Sequence, residues 1–270
     1  MSRPDPIRIE ATSFSFQGGR EYNEDFLGDC EADGLRLFVL ADGAGGHGGG
    51  DVASRTAVEA AQAAFRELPA FTPDTLRRCI ARAHQKVTSL QQSERRLARM
   101  ASTMVVLLVS CEQSQALSGN LGDSRCYAFR GDRVTARSQD HSLVQRFIEA
   151  GLYPADRLRQ HPRRNVLYAS LGAYEEDVEP ALSEETLALE PGDGLLLCSD
   201  GVWELLEDTE LARLHAASET VHDWRDRLLA TLRANMPEGH DNHSAYLLRC
   251  LSEFPSGDDT IMPAKGPVRA

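Results

Sequence analysis

The sequence predicts an α+β fold built mainly from antiparallel strands. Helical patterns fall between blocks of strand patterns, and this arrangement differs from the strict strand–helix alternation of a doubly wound parallel sheet. Several strand patterns are short runs separated by turn residues, which is typical of antiparallel hairpins. The chain of 270 residues has no internal repeat and is long enough to bury a substantial core.

Two strands and two helices are predicted in the first third of the chain. Residues Ile7–Phe16 alternate between apolar and polar, and the unbroken apolar run Leu35–Ala41 is typical of a buried strand. An alanine-rich amphipathic pattern predicts a helix over Val52–Leu68. A second helix is expected from Asp74 to about Arg99, with Pro73 in its first turn.

The middle of the chain predicts an antiparallel meander followed by a less regular segment. The four runs of the meander are Thr103–Cys111, Gln115–Asn120, Cys126–Arg130 and Arg133–Ser138. A helical pattern follows from Asp140 to Ala150. The arginine-rich stretch from Tyr153 to Asn165 is irregular, and we expect it to form part of a surface subdomain.

The last third predicts further strands, two helices and a tail. The strands are Thr186–Leu189, Leu195–Cys198 and Ser244–Leu251, and the helices are Asp208–Ala216 and Glu219–Asn235. We expect Trp203 and Trp224 to pack in the core and His215 to be solvated. From Glu253 onward the chain is polar and contains three prolines, so we expect residues 253–270 to be disordered.

The composition excludes several functional classes. A net charge of -12 and a pI near 5.1 argue against nucleic acid or an anionic membrane as the main partner, since both require a basic surface. No apolar run approaches the length of a transmembrane helix, and the N-terminus lacks a signal-peptide core. Six scattered cysteines without a CxxC pair predict free buried thiols and a cytoplasmic location.

The stretch from Leu37 to Ser54 has the strongest functional signal. Its apolar strand ends at Asp42, and six of the next eight residues are glycine. A carboxylate at a strand end beside a glycine-rich loop suits a metal ion or a phosphate, because the loop backbone can approach the ligand closely. An ordinary turn with an aspartate cap explains this stretch equally well. Asp51 is a candidate N-cap for the helix that follows.

Aspartates recur where strand patterns end or begin. Asp42, Asp123 and Asp200 each stand beside a glycine, and Asp241 precedes the last strand. Taken singly, each is explained as a common turn residue. Four carboxylates that converge at one end of a sheet assembly would repel each other unless cations lay between them, and ligands that are all oxygen favour Mg²⁺ or Mn²⁺. For the set as a whole we favour a metal site.

An ordered set of motifs resembles the metal-dependent type 2C serine/threonine protein phosphatases, the PPM family, in its bacterial form. The motifs span almost the whole chain, from about Phe14 to Leu251. They are Arg20-x-x-Asn23-Glu24-Asp25, Asp42-Gly43-x-Gly45-Gly46-His47, Ser102-Thr103, Gly122-Asp123-Ser124-Arg125, Asp140-His141-Ser142, Asn165 with Leu171-Gly172, Ser199-Asp200-Gly201 and Asp241-Asn242.

The resemblance implies a four-layer αββα sandwich, in which two antiparallel sheets are flanked by helix pairs. It implies one catalytic domain over residues 1–252, with a flap-like subdomain at about 140–172. A binuclear Mn²⁺ or Mg²⁺ centre would use Asp42 as the bridge and the Gly43 carbonyl. Asp200 and Asp241 would ligate one ion, Glu24 and Asp25 would hold the water shell of the other, and Asp123 with Asp200 would form a weaker third site.

The implied activity is hydrolysis of phosphoserine and phosphothreonine in proteins by metal-bound hydroxide. Arg20 matches the arginine that grips the phosphate, for which a planar guanidinium is well suited. The expected partners are phosphoproteins that a cognate serine/threonine kinase modifies. The alternative is a pseudophosphatase, a regulator that binds phosphoproteins and keeps the fold without turnover.

Three positions depart from the family pattern, and they concern the general acid and the flap. Ala44 stands where relatives carry histidine or methionine, Tyr168-Ala169 replaces a common Thr-Arg pair, and His243 replaces an aliphatic residue. With Ala44 present, His47 is the nearest titratable candidate for the catalytic acid. A helix cap or a hydrogen bond within the loop is an equally good interpretation of His47.

Overall fold

The computed structural model describes residues 6–45, 49–174, 179–183 and 185–252. His47 and the predicted tail at 253–270 lie outside the described residues. None of the described helices combines the length and the apolar character needed to cross a bilayer.

The described secondary structure comprises fourteen strands and six α-helices. The strands are β1 (Ile7–Phe16), β2 (Asp25–Ala32), β3 (Leu35–Ala44), β4 (Ala101–Ser102), β5 (Met104–Ser110), β6 (Gln115–Leu121), β7 (Arg125–Arg130), β8 (Arg133–Arg137), β9 (Ala169–Ser170), β10 (Ala173–Tyr174), β11 (Ala181–Leu182), β12 (Leu187–Ala188), β13 (Gly194–Cys198) and β14 (His243–Ser252). The helices are α1 (Gly50–Glu67), α2 (Pro73–Ser93), α3 (Leu143–Glu149), α4 (Asp200–Trp203), α5 (Asp208–Ala216) and α6 (Val221–Asn235).

Two antiparallel sheets form the centre of the molecule. One has the strand order β1-β14-β13-β7-β8, and the other has the order β11-β6-β5-β3-β2, with β12 on β6 and β4 on β3. Their facing sides share a core that includes Phe38, Leu107, Leu195 and Leu248. Helices α1 and α2 cover the outer face of the second sheet, and α5 and α6 cover that of the first. The predicted α+β fold with four layers is confirmed.

Alternation along the central strands explains why their sequences are continuously apolar. In β3, Leu37 and Val39 face the helices, whereas Phe38 and Leu40 face the other sheet. Successive side chains of a strand point to opposite faces, so a strand covered on both sides needs apolar residues at every position. A Leu buried in this way contributes roughly 1.5–3 kcal/mol relative to an exposed one.

Arginines attach the segment from 140 to 172 to the core. The segment contains α3, a 3₁₀-helix over Ala155–Gln160 and the short strand β9. Arg159 donates to the carbonyl oxygens of Trp203 at 2.8 Å and Leu206 at 3.1 Å. Arg164 holds Glu204 with two hydrogen bonds of 2.6 and 3.0 Å. These bonds attach the segment to residues 203–206, which follow shortly after Asp200 in the chain.

The strand predictions differ from the structure in two places. The predicted meander is divided, because β5 and β6 belong to one sheet whereas β7 and β8 belong to the other. Strand β2 was not predicted, because its sequence is polar and contains Gly28, as befits the edge of a sheet.

Three smaller predictions also need correction. The second helix ends at Ser93, before a 3₁₀ turn at Arg95–Leu97. His215 is buried, with its ring stacked on Phe129 at 5.6 Å. Asp51 is not the N-cap of α1, because Gly49 holds that position and Asp51 lies in the first turn. The predicted burial of Trp203 and Trp224 is confirmed.

Candidate metal and phosphate site

Two of the predicted carboxylates meet because of the register between β2 and β3. The antiparallel pairing places Asp25, the first residue of β2, directly opposite Asp42, near the end of β3. Side chains in such a pair have Cβ atoms about 4.5–5.5 Å apart. The hairpin therefore forces two carboxyl groups together at one end of the second sheet.

The first sheet brings two more carboxylates to the same place. Asp200 begins α4 directly after β13, and Asp241 lies two residues before β14, which pairs with β13. Asp123 lies in the connection between β6 and β7, where the chain crosses from one sheet to the other. Five aspartates thus arrive from five separate segments.

A cavity of about 960 Å³ opens at this end of the sandwich. Its wall includes these predicted site residues: Arg20, Glu24, Asp42, Gly43, Asp123, Asp200 and Asp241. Asp25 does not line it; only 6% of Asp25 is exposed, and it lies behind Asp42. The structure gives no position for His47. Apart from Asp25 and His47, the predicted site residues are therefore brought together on the wall of one cavity.

Burial and mutual repulsion raise the pKa values of the central aspartates. The pKa of Asp42 is well above its usual range, first because of burial and then because of the charges of Asp25 and Asp200. Burial raises the pKa of Asp25 to about 6, against hydrogen bonds from Ser244 and Ser199 that lower it. A cation between these groups would remove the repulsion.

The remaining carboxylates show the same effect. Burial, followed by the charge of Asp140, raises the pKa of Asp123 to about 7. The pKa of Asp200 is raised well above its usual range by burial and then by Asp123 and Glu204. Burial also raises the pKa of Glu24. Such shifts cluster at functional sites, where the fold holds charged groups together despite their repulsion.

The donor set suits hard divalent cations. Carboxylate oxygens and the Gly43 carbonyl are the ligands that Mg²⁺ and Mn²⁺ prefer. The Oδ1 atom of Asp25 is buried and has no hydrogen-bond partner among the described residues. Within the described part of the chain, no three His, Cys, Asp or Glu side chains are arranged so that they could hold an ion directly. Mg²⁺ usually keeps several water ligands in protein sites, so water would complete the coordination.

The backbone of the Asp42 strand end is held by two neighbouring hydroxyl groups. Ser102 Oγ donates to the Asp42 carbonyl at 2.9 Å, and the Asp42 amide donates to Thr103 Oγ1 at 3.1 Å. Thr103 also shares a hydrogen bond of 2.6 Å with Ser124, the neighbour of Asp123. The Ser102-Thr103 motif thus fixes the backbone of Asp42, a role that only the three-dimensional contacts reveal.

Asn242 organises the loop that carries Arg20 and Glu24. Its Nδ2 donates to the carbonyls of Gln17 at 2.7 Å and Tyr22 at 2.9 Å, and its Oδ1 accepts from the Glu24 amide at 2.8 Å. Arg20 is exposed at the cavity wall and donates to Asp241 Oδ2. The Asp241-Asn242 motif pointed to this region, but the support that the Asn242 amide gives to the loop depends on contacts between residues distant in sequence.

Asp51, predicted as an N-cap of the helix, instead belongs to the cavity wall. It lines the cavity from the first turn of α1, and its buried Oδ1 has no hydrogen-bond partner among the described residues. Glu24 lies beside it, since the Gly50 amide donates to Glu24 Oε1 at 3.1 Å. The position of an acidic residue just after a glycine run was the available signal.

Comparison with known proteins agrees with this geometry. The family model described as protein phosphatase 2C matches residues 17–242. The chain belongs to the protein phosphatase 2C family. The predicted resemblance and the predicted enzyme class, a serine/threonine protein phosphatase, are confirmed.

Individual relatives cover most of the chain. The serine/threonine phosphatase Stp of Listeria monocytogenes is 32% identical over 237 residues, which are 85% of this chain and 90% of that protein. The structure of the phosphatase Stp1 from Staphylococcus aureus has a TM-score of 0.81 at 27% identity, covering 92% of this chain and 98% of that one. The catalytic domain of PstP in complex with two manganese ions has a TM-score of 0.75 at 25% identity, covering 91% and 99%.

Proposed function

We propose that this member of the family hydrolyses phosphoserine and phosphothreonine in proteins at a centre of two divalent cations, Mn²⁺ or Mg²⁺. The observation that carries the proposal is the convergence of four aspartates from distant segments on the wall of one cavity, with Asp25 buried opposite Asp42 and Arg20 at the wall. The names of the relatives support the substrate class, and the two manganese ions of the PstP structure support the cofactor.

In this proposal the ligands keep the division given by the family resemblance. Asp42 would bridge the two cations, and Gly43 would contribute its carbonyl. A side chain at Gly43 would meet the Glu24 carbonyl at 2.8 Å, so this position admits only glycine. Asp200 and Asp241 would hold one cation, and Glu24 with Asp25 would hold the water around the other. Asp123, with Asp200, would hold a weaker third ion.

The cations supply an activated water and neutralise charge on the phosphoryl oxygens. The protein has three tasks in this scheme. Arg20, which is exposed and bonded to Asp241, orients the phosphate by its guanidinium. Asn242 fixes the loop on which Arg20 stands. Thr103 and Ser102 fix the backbone of Asp42, so the carboxylate is placed before any substrate arrives.

The proposed partners are phosphoproteins modified by an opposing serine/threonine kinase in the cytoplasm. The six cysteines are free, and all but Cys111 are buried, which suits a reducing compartment. A pseudophosphatase remains the second candidate. The described ligand positions favour the enzyme, because each of them carries an oxygen donor.

The test is the hydrolysis of p-nitrophenyl phosphate and of a phosphothreonine peptide with added Mn²⁺, then with EDTA. We expect turnover of both that EDTA abolishes. Metal-dependent stabilisation without any turnover would favour the pseudophosphatase.

The Asp42→Asn variant tests the bridging role. Loss of the shared carboxylate should lower turnover by more than the ~10–100-fold that loss of an outer-shell partner costs. Manganese should also raise its melting temperature less than that of the wild type, because a ligand stabilises only through the native state that it binds. Asp132→Asn, at an exposed turn, is the matched control. Near-normal turnover of Asp42→Asn would exclude the two-metal assignment.

A further inference from the structure

The segment from Arg157 to Arg164 differs in charge from the rest of the molecule. It contains four arginines and no acidic residue, whereas the whole chain has 41 acidic and 29 basic side chains. Two of the arginines are used internally: Arg159 bonds to Glu207 and Asp208, and Arg164 to Glu204. These contacts fix the position of the segment on the core.

The other two arginines are at the surface and have free guanidinium groups among the described residues. Arg157 and Arg163 are exposed, and neither guanidinium forms an ion pair with a described residue. Both are attached to one aromatic pair, Tyr153 and His161, whose ring centroids lie 4.8 Å apart. Tyr153 donates to the Arg157 carbonyl at 3.3 Å, and the Arg163 amide donates to His161 Nδ1 at 3.0 Å. We call Arg157 and Arg163 the arginine rim.

Arg163, one of the two residues of the arginine rim, lies next to the cavity. The Val166 amide donates to the Arg163 carbonyl at 3.1 Å, which closes a turn. Asn165 and Leu167, in and after this turn, line the cavity wall. Two peptide units separate the Cα atoms of Arg163 and Asn165 by at most about 7.6 Å. A peptide that leaves the cavity along this wall would pass the Arg163 side chain.

Apart from Arg20, the charged side chains of described residues that line the cavity are all acidic. Glu21, Glu24 and Asp51 line the same cavity and would repel an acidic segment. Arg20 is bonded to Asp241 and is assigned to the phosphate. An exposed pair of unmatched guanidinium groups beside an otherwise acidic wall therefore makes the mouth of the cavity asymmetric in charge.

We propose that the arginine rim binds acidic side chains on one flank of the phosphorylated residue, so that phosphoprotein segments acidic on that flank are preferred substrates. The proposal rests on the phosphatase function proposed above. Each exposed pairing should change kcat/KM by about 2–5-fold, the effect of a single solvent-exposed ion pair. The preference should shrink in high salt, because exposed charges are screened.

The experiment uses three phosphothreonine peptides of equal length. One is acidic on the N-terminal side of the phosphothreonine, one on the C-terminal side, and one is neutral. The quantity measured is the ratio of kcat/KM for each acidic peptide to that for the neutral one, in low salt and in about 0.5 M salt. Wild-type protein is compared with Arg157→Glu/Arg163→Glu, with the milder Arg163→Gln and with Arg213→Glu, a control at an exposed arginine of α5.

We expect the wild type and Arg213→Glu to prefer one acidic peptide by about 2–5-fold in low salt only. The double variant should lose or reverse the ratio, and Arg163→Gln should reduce it. Equal ratios near one for the wild type, or a preference that persists in the double variant, would overturn this proposal alone. Failure of the wild type to hydrolyse any of the three peptides with Mn²⁺ would overturn the proposed function as well.

Discussion

Asp123 is held differently from the other aspartates of the cavity. Its carbonyl accepts a hydrogen bond of 2.9 Å from the indole of Trp203, and the adjacent Ser124 is bonded to Thr103. Gly122 precedes it with φ +104°, a conformation that glycine adopts readily. The peptide is therefore fixed by neighbours that are not metal ligands, which suits a separate and weaker site.

Asp123→Asn should separate the weak site from the tight pair. Asp42, Asp200 and Asp241 remain, so calorimetry should still show the tight sites filled by Mn²⁺. Turnover should fall by about 10–100-fold, the range for groups outside the first ligand set. Loss of the tight sites in the same titration would show that Asp123 belongs to the core pair.

His47 stays a prediction based on the sequence. A general acid helps a poor leaving group such as an alkoxide, whereas p-nitrophenolate leaves without protonation. His47→Ala should thus slow hydrolysis of a phosphothreonine peptide by ~10²-fold and scarcely change that of p-nitrophenyl phosphate. Equal slowing of both substrates would assign His47 to the loop or the metal site instead.

At the scale of elements, one buried ion pair joins β7, the start of α3 and α4. Arg125 is 1% exposed and binds both carboxylate oxygens of Asp140, at 2.8 and 2.7 Å. Its guanidinium also lies 3.5 Å from the centre of the Trp203 ring and donates to the Tyr127 hydroxyl at 2.9 Å. This pair supports both the Asp123 connection and the segment from 140 to 172.

Asp140→Ala should destabilise the protein by about 3–5 kcal/mol, because it leaves a buried guanidinium without its counter-charge. Urea unfolding of the metal-free protein measures this change. Asp226→Ala removes the partner of Arg225 in an exposed pair, with Asp226 64% exposed, and should cost less than about 1 kcal/mol. Similar losses in the two variants would contradict the role given to the buried pair.

The prediction of elements from sequence succeeded where a segment's own pattern fixes its structure. Strand β1 has the predicted limits because its alternation of apolar and polar residues defines it. Helix α5 also begins and ends at the predicted residues. Strand β2 depends on its pairing with β3, which a polar sequence does not reveal. The predicted meander is divided because the chain crosses from one sheet to the other between β6 and β7, at residues 122–124. No local sequence pattern predicts that crossing.

The candidate site was predictable to the same extent. Aspartates at strand ends could be selected from the sequence, because their place after apolar runs is a local feature. The opposition of Asp25 to Asp42, the contact of Arg20 with Asp241 and the loop bonds of Asn242 arise from register and from contacts between distant residues. These relations are fixed only when both sheets are assembled.

For the molecule as a whole, the cluster of carboxyl groups makes stability depend on pH and metal together. The pKa of Asp25 is about 6 and that of Asp123 about 7 in the folded protein, against 3.8 for an ordinary aspartate. Between pH 3.8 and these higher values, the native state binds more protons than the unfolded state. Its stability without metal is therefore highest below pH 4 for these groups and decreases as pH rises through 6 to 7.

In EDTA, the free energy of unfolding should contain a contribution that falls between pH 5 and pH 7.5, and Mn²⁺ should stabilise more at pH 7.5 than at pH 5. Urea titrations at both pH values, with EDTA and with Mn²⁺, measure this. Burial lowers the pKa of His84, His141, His215 and His243, so these groups contribute in the opposite direction. The histidines are the same in the wild type and in Asp25→Asn, so the difference between the two proteins isolates the contribution of Asp25. If the free energy of unfolding in EDTA depended on pH equally in both, the contribution given to Asp25 would be wrong.

The position of β14 also determines when the active site can form. It is the last described strand, yet it lies inside its sheet between β1 and β13, and its register pairs Ser252 with Ile7. Contacts between residues so distant in sequence close late in folding, because the loop entropy is lost before they stabilise the chain. Asp241 reaches the cavity in this same step. A ribosome-bound or truncated chain without β14 should consequently lack a complete site, and we expect activity only after the final strand is inserted.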